Sequence, residues 1–274
     1  MNAKRSDPQS PPHPFVSPAD APRPPTPSRR ARQLLQLAHQ AVYRLPDTYP
    51  GFTAAVEARS ARWTVRGTVD VHCPHGAVFV LDPDDPGRDH DDEAASSGAA
   101  DRPSAATVTT VTTMIVDLVS RQFPKRFDEL DGRFEAGFRP DLDQPGRRAV
   151  QLLGESRRTI RWLDEHGVVA AAYRRAGVAH HVEVTGRRIL DGGRWLPTRV
   201  LDLHQAEQVP DLRHAHADEF LELDGIHLPL RRTASVTAAD RATAVDGAAP
   251  NGAVGPVTIE LRDHVHHRGR PAPT

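Results

Sequence analysis

Histidine carries most of the chemical potential of this chain: 15 histidines stand against a single cysteine. Imidazole binds transition metals and exchanges protons near neutral pH. The question is which histidines the fold can bring to one point. His72 and His75 flank Cys73, a trio of donors suited to zinc or copper. The turn Cys73-Pro74-His75-Gly76 explains that spacing equally well. Near the C-terminal end stands Asp263-His264-Val265-His266-His267. His264 and His266 would share one strand face, about 7 Å apart. His214-Ala215-His216 repeats the pair beside Asp218 and Glu219. No pair completes a ligand motif alone, so a metal centre needs inward histidines from several strands. The candidate ligands are His204, His227, His264 and His266, and the expected geometry joins His204 and His227 to His264.

Other reactive patterns are weaker. The run from Asp82 to Glu93 has acids at the first and third positions of a calcium loop, with Gly87 and Glu93 in place. Its fifth position is Pro86, which has no side-chain ligand oxygen, and no helices flank it. Ser120, Ser156 and Ser235 lack a nucleophile elbow. No glycine-rich loop precedes a helix, so no phosphate cradle is visible. No catalytic residue and no cofactor are identified.

The elements that must position these residues are mostly strands. Ala31, Leu34, Leu35, Ala38, Ala41, Val42 and Leu45 form one helical stripe, which predicts a helix over 29–45. Val108, Val111, Ile115, Leu118 and Val119 predict a second over 107–122. Strands are expected at 52–60, 63–73 and 77–81. A longer series follows at 149–153, 159–163, 168–173, 180–190, 195–204, 219–223, 227–236 and 257–265. The phrases Trp195-Leu196-Pro197 and His227-Leu228-Pro229 each follow a glycine turn, as consecutive antiparallel strands do.

The expected fold is α+β: a strongly curved antiparallel sheet, a half-barrel, with two principal helices packed on its concave side. One domain would span 29–267. A Pro-rich arm at 1–28, an acidic insertion at 83–105 and a tail at 268–274 would be disordered, since they cannot bury enough apolar surface. The formal charge of −1 argues against a nucleic-acid binder. No apolar run is long enough to span a membrane, and no secretory signal is visible, so a cytoplasmic location is expected.

Ala31-Arg32-Gln33-Leu34-Leu35, followed by Ala38, Tyr43, Tyr49-Pro50-Gly51-Phe52 and Ala54, resembles the start of a family of uncharacterised bacterial proteins best known from cyanobacteria. That family is similar in architecture to the lipoprotein carrier LolA. The resemblance implies a half-barrel whose helices leave an apolar cavity, and no catalytic residues. The leading expectation is therefore a non-enzymatic protein holding a small apolar or amphipathic ligand. Trp63, Val65, Trp162, Trp195 and Leu201 are its candidate lining. One alternative is a metal-binding or metal-dependent protein using the histidines. The other is an interaction protein using its Pro-rich arm, with no protein partner identified.

Overall fold

The computed structural model describes residues 25–82, 104–155, 159–205, 211–238 and 254–267. The first helix, α1 (Arg29–Ala41), is capped by the Ser28 side chain, which accepts from the Ala31 N–H. It buries Ala31, Leu35 and Ala38, one stripe at helical spacing. It stops at Ala41 rather than at residue 45. There Val42 turns extended and bridges Trp195, and the Tyr43 and Leu45 N–H groups bond to the carbonyls of Trp195 and Gln122. Those partners satisfy the donors that a further helical turn would have used.

The second helix, α2 (Ala105–Ser120), is capped by Ser104. Thr109, Thr110, Thr112 and Thr113 turn their hydroxyls onto carbonyls four residues earlier, each at 2.9 Å. This satisfies the hydroxyls within the helix, at a small cost in helix stability. Val111, Ile115, Leu118 and Val119 then supply its buried face.

Twelve strands form one antiparallel sheet, and 56% of the described residues are strand. They are β1 (Gly51–Arg59), β2 (Thr64–His72), β3 (Gly76–Leu81), β4 (Glu135–Phe138), β5 (Arg148–Leu153), β6 (Ile160–Asp164), β7 (Gly167–Arg175), β8 (Val178–Ile189), β9 (Trp195–Gln205), β10 (Leu212–Leu223), β11 (Ile226–Ala238) and β12 (Val254–His266). From β4 to β12 each strand pairs with the next, and β12 then pairs with β1, which continues into β2 and β3. The sheet is open, with β3 and β4 at its edges. Nearly all the expected strands are present. β4 is an addition, and β10 starts seven residues earlier than its apolar pattern suggests.

Both helices lie on one face of this sheet, as the pairing register shows. Val150, under α1, stands opposite Arg161, which leads across the ladders through Ala171, Val182 and Asp202 to His214. On the same strand as His214, Asp218 pairs with Arg232, then Ile259, Ala58 and Val65, which pack in the α2 cluster. α1 lies over β4 and β7, and α2 over β2, β3 and β11, so β8 to β10 run between the two helices. The opposite face holds a smaller core of Ala149, Ile160, Trp162, Ala170 and Ala172.

The ordered unit begins before residue 29. Ser28 donates its N–H to the Ala136 carbonyl at 2.7 Å, and a Cβ on Gly137 would meet the Thr26 carbonyl oxygen at 2.6 Å. Residues 25–28 are therefore laid against β4, which corrects the expected boundary of the arm. Residues 1–24, 83–103 and 268–274, where disorder is expected, lie outside the described residues, as does most of the calcium-like run. Among the described residues no helix is long and apolar enough to cross a membrane.

Leu35 is 2% exposed and packs among Val150, Leu152 and Leu163. Leu35→Ala is expected to cost about 2–3 kcal/mol, the lower part of the range for a buried leucine, because a lone surface helix can settle toward the sheet. Urea unfolding reads this directly. An unchanged midpoint would mean that α1 contributes no core.

Candidate metal centre

The strip of sheet between the helices is not apolar. Tyr173 on β7 and His180 on β8 are register partners, and their rings stack at 4.9 Å, 8° from parallel. His180 is in turn the partner of His204 on β9, with ring centroids 4.5 Å apart. Asp202 lies two residues before His204, on the same face. It pairs across with His214 on β10, whose ring lies 4.4 Å from that of His204. Four strands thus each contribute one aromatic ring to a continuous row.

His180, Asp202 and His204 each offer a ligand atom within 4.8 Å of the other two. Their contacts with one another are not hydrogen bonds. His204 Nε2 is 3.0 Å from Asp202 Oδ2, yet among the described residues that buried nitrogen has no hydrogen-bond partner. His180 Nδ1 is 3.9 Å from Asp202 Oδ1, and both atoms are buried and unpartnered. His214 Nε2 and His216 Nε2 are unpartnered as well. An unmatched buried polar atom costs about 1–3 kcal/mol. Four of them, on His180, Asp202, His204 and His214, lie side by side on one face of three adjacent strands.

Metal ligation would give them a common partner. Two ligands about 2.1 Å from a zinc ion at a tetrahedral angle are about 3.4 Å apart, with lone pairs aimed at the metal instead of each other. The 3.0 and 3.9 Å contacts of Asp202 with His204 and His180 lie close to that spacing. Burial holds His180 and His214 below the ordinary imidazole pKa, with the neighbouring His204 adding to it. Both are therefore neutral near pH 7, the form that ligates. Burial, then Arg232 and Arg121, brings His216 down to about 4.

Beyond His216 the row ends in a buried ion network. Arg232, 3% exposed, grips Asp218 with two bonds of 2.7 Å and reaches Asp117 on α2 at 2.7 Å. His216 Nε2 is 3.9 Å from Asp218 Oδ2.

Of the four candidate ligands only His204 belongs to the three-donor set, while His214, from the His214 and His216 pair, stands beside it. His227, His264 and His266 do not converge with it. His227 Nδ1 is 2.9 Å from Arg188 Nη2, His264 Nε2 is 2.9 Å from the Pro229 carbonyl oxygen, and His266 Nδ1 is 2.8 Å from the Tyr49 hydroxyl. The reason is register. His204 is level with Leu212, which is level with Ala238 on β11. His227 lies at the other end of that strand, roughly 35 Å away at strand rise. The Cys73 trio also separates: burial pushes the Cys73 thiol up to about 11, while His72 points outward to Asp70.

The apolar candidates share no cavity. Val65 and Trp63 pack in the α2 cluster, Trp162 lies in the core of the opposite face, and Trp195 donates to the His166 carbonyl at 2.8 Å. Leu201 is level with Glu183 and Ala215, on the face away from Asp202 and His204. A polar cavity of about 350 Å³ lies by Tyr43, Arg188, Arg194 and His227, and a second of about 450 Å³ flanks α1. None of the five residues lines either.

Comparison with family models, with curated proteins and with solved structures finds no match to this chain.

Proposed function

We propose that the chain is a transition-metal-binding protein. Its centre is formed by His180, Asp202 and His204, with His214 as a fourth donor. The observation that carries this is the convergence of three ligand atoms from two adjacent strands within 4.8 Å, with buried donor atoms left unpartnered. Three imidazoles and one carboxylate suit zinc, copper or nickel, with affinity rising toward copper. The donors must close by about 1 Å to reach bonding distances, a movement that side-chain rotation supplies. His214 has to turn furthest, since it stands outside the three-donor set. The proposal includes a sheet curved as a half-barrel with both helices in its concavity. The shared helix face and the usual twist of long antiparallel sheets support that shape. In it the centre sits on the inner wall.

Calorimetric titration of the untagged chain with Zn²⁺ and Cu²⁺ tests the centre. The expected result is that His204→Ala and Asp202→Asn each abolish one class of site. If both variants bind as the parent does, the centre is not there.

A second reading, a carrier of a small amphipathic molecule, draws on the cavity beside α1. Leu34, Leu37, Ala38 and Leu163 give it an apolar wall, and Arg30 and Arg148 stand in its lining. An acyl chain with an anionic head fits that chemistry. Native mass spectrometry of untagged protein should show a co-purified lipid-sized mass under this reading and none under the first.

A further inference from the structure

Two histidine groups of the sequence, the one at the Cys73 turn and the one that ends the last strand, are not used by the centre on β8 and β9. The fold brings one residue of each together. His72 is level with Gly51 across the β1–β2 ladder, and His267 donates its backbone N–H to the Gly51 carbonyl at 3.0 Å. The two histidines thus approach from the strands on either side of β1, over a residue without a side chain. Strands two apart are separated by about 9–10 Å, yet these rings are 4.8 Å apart. Gly51 has φ +127°, and a Cβ there would lie 1.8 Å from the Val71 carbonyl oxygen and 3.1 Å from His267 Nδ1. Only glycine permits this approach.

Asp70 stands two residues before His72 on the same face of β2 and reaches both rings. Its Oδ2 is 3.0 Å from His72 Nε2 and its Oδ1 is 2.9 Å from His267 Nε2. The first contact is a hydrogen bond. The second is short but misaligned: Asp70 Oδ1 is buried and accepts no hydrogen bond among the described residues. All three ligand atoms lie within 4.8 Å of one another. The pattern repeats that of the inner centre. Asp70 and His72 alternate with Val69 and Val71, which are buried under α2, so this group is on the opposite face of the sheet.

We propose that Asp70, His72 and His267 form a second metal site, a two-histidine, one-carboxylate set for a divalent first-row cation. The Asp70 and His72 side chains are about half exposed and that of His267 a fifth. Three protein ligands on an open surface leave coordination positions for water or an exchangeable ligand. The site rests on different residues from those of the inner centre and stands or falls apart from it.

Zn²⁺ titration of the untagged full chain reads both sites, with circular dichroism to confirm folding. The parent is expected to bind about two equivalents, and the His72→Ala/His267→Ala double variant about one. Asp70→Asn, which keeps the side-chain shape, should weaken the same class about tenfold or more, at least the effect of losing an outer-shell partner. His204→Ala should leave this class intact. A double variant that binds as many equivalents as the parent, with the same affinity, overturns the second site. A parent that binds about one equivalent, lost in the double variant but kept in His204→Ala, upholds the second site and removes the inner centre.

Discussion

Asp218→Ala is expected to destabilise the fold by about 3–5 kcal/mol, the cost of stranding one partner of a buried ion pair. Arg232 is 3% exposed and donates two of its hydrogen bonds to Asp218, which is equally buried. Without that carboxylate the guanidinium keeps Asp117, which is half-exposed and shared with Arg121, and a long 3.5 Å bond to the Met114 carbonyl. Asp117→Ala should therefore cost much less. Replacing both buried partners with apolar residues of similar volume should come close to neutral. Urea midpoints for the single and double variants decide the matter, and equal losses from Asp117→Ala and Asp218→Ala would refute the ranking. Burial pushes the Asp117 carboxyl up, but Arg121 and Arg232 together outweigh it, so its pKa falls below the ordinary 3.8. The stability it contributes is complete above the unfolded pKa and fades as the pH drops below about 4.

The second large effect is stabilisation by metal. A ligand at a hundred times its Kd adds about 2.7 kcal/mol to a folded state that alone binds it. For a domain of this size that is about 5–10 °C in Tm. The proposed centre would link β8 to β9, so Zn²⁺ at concentrations that fill it should raise the midpoint by this amount. His204→Ala should remove the part of the rise that this centre contributes and keep any part that comes from the Asp70, His72 and His267 site. Without metal the same substitution should cost little, because His204 Nε2 has no hydrogen bond to lose. Scanning calorimetry of both chains, with chelator and with zinc, separates the outcomes. A metal-free His204→Ala chain that melts many degrees lower would assign the histidine a packing role instead.

The strand that carries His214 and His216 shows why the fold was more legible than the site. Alternation of apolar and polar residues marked β2, because one of its faces is buried under α2. The segment 212–218 has half-exposed or polar residues on both faces, so no period of two reveals it. β4 is short and holds Gly137, which also erases the signal. The site depends on register, and register is set by which strands pair. His204 and His214 could be named from the sequence as strand histidines. His180 and Asp202 could not be linked to them before the β8–β9 ladder fixed that His180 stands opposite His204. His227 and His264 were reasonable choices by type, and the length of β11 alone places them far away.

β12 has a consequence for the order of events as the chain emerges from the ribosome. The hairpins of β1 to β3 are made first, but they join the rest of the sheet only through β12, where Ala58 faces Ile259 across some two hundred residues. Until that strand is synthesised, β1 has an unpaired inner edge and β11 another. Unpaired edges of this kind recruit other chains. Nascent chains would be most prone to associate in the interval before residue 254 appears, and chaperone capture would peak there. Insertion of the last strand both completes the sheet and withdraws those two edges from intermolecular pairing.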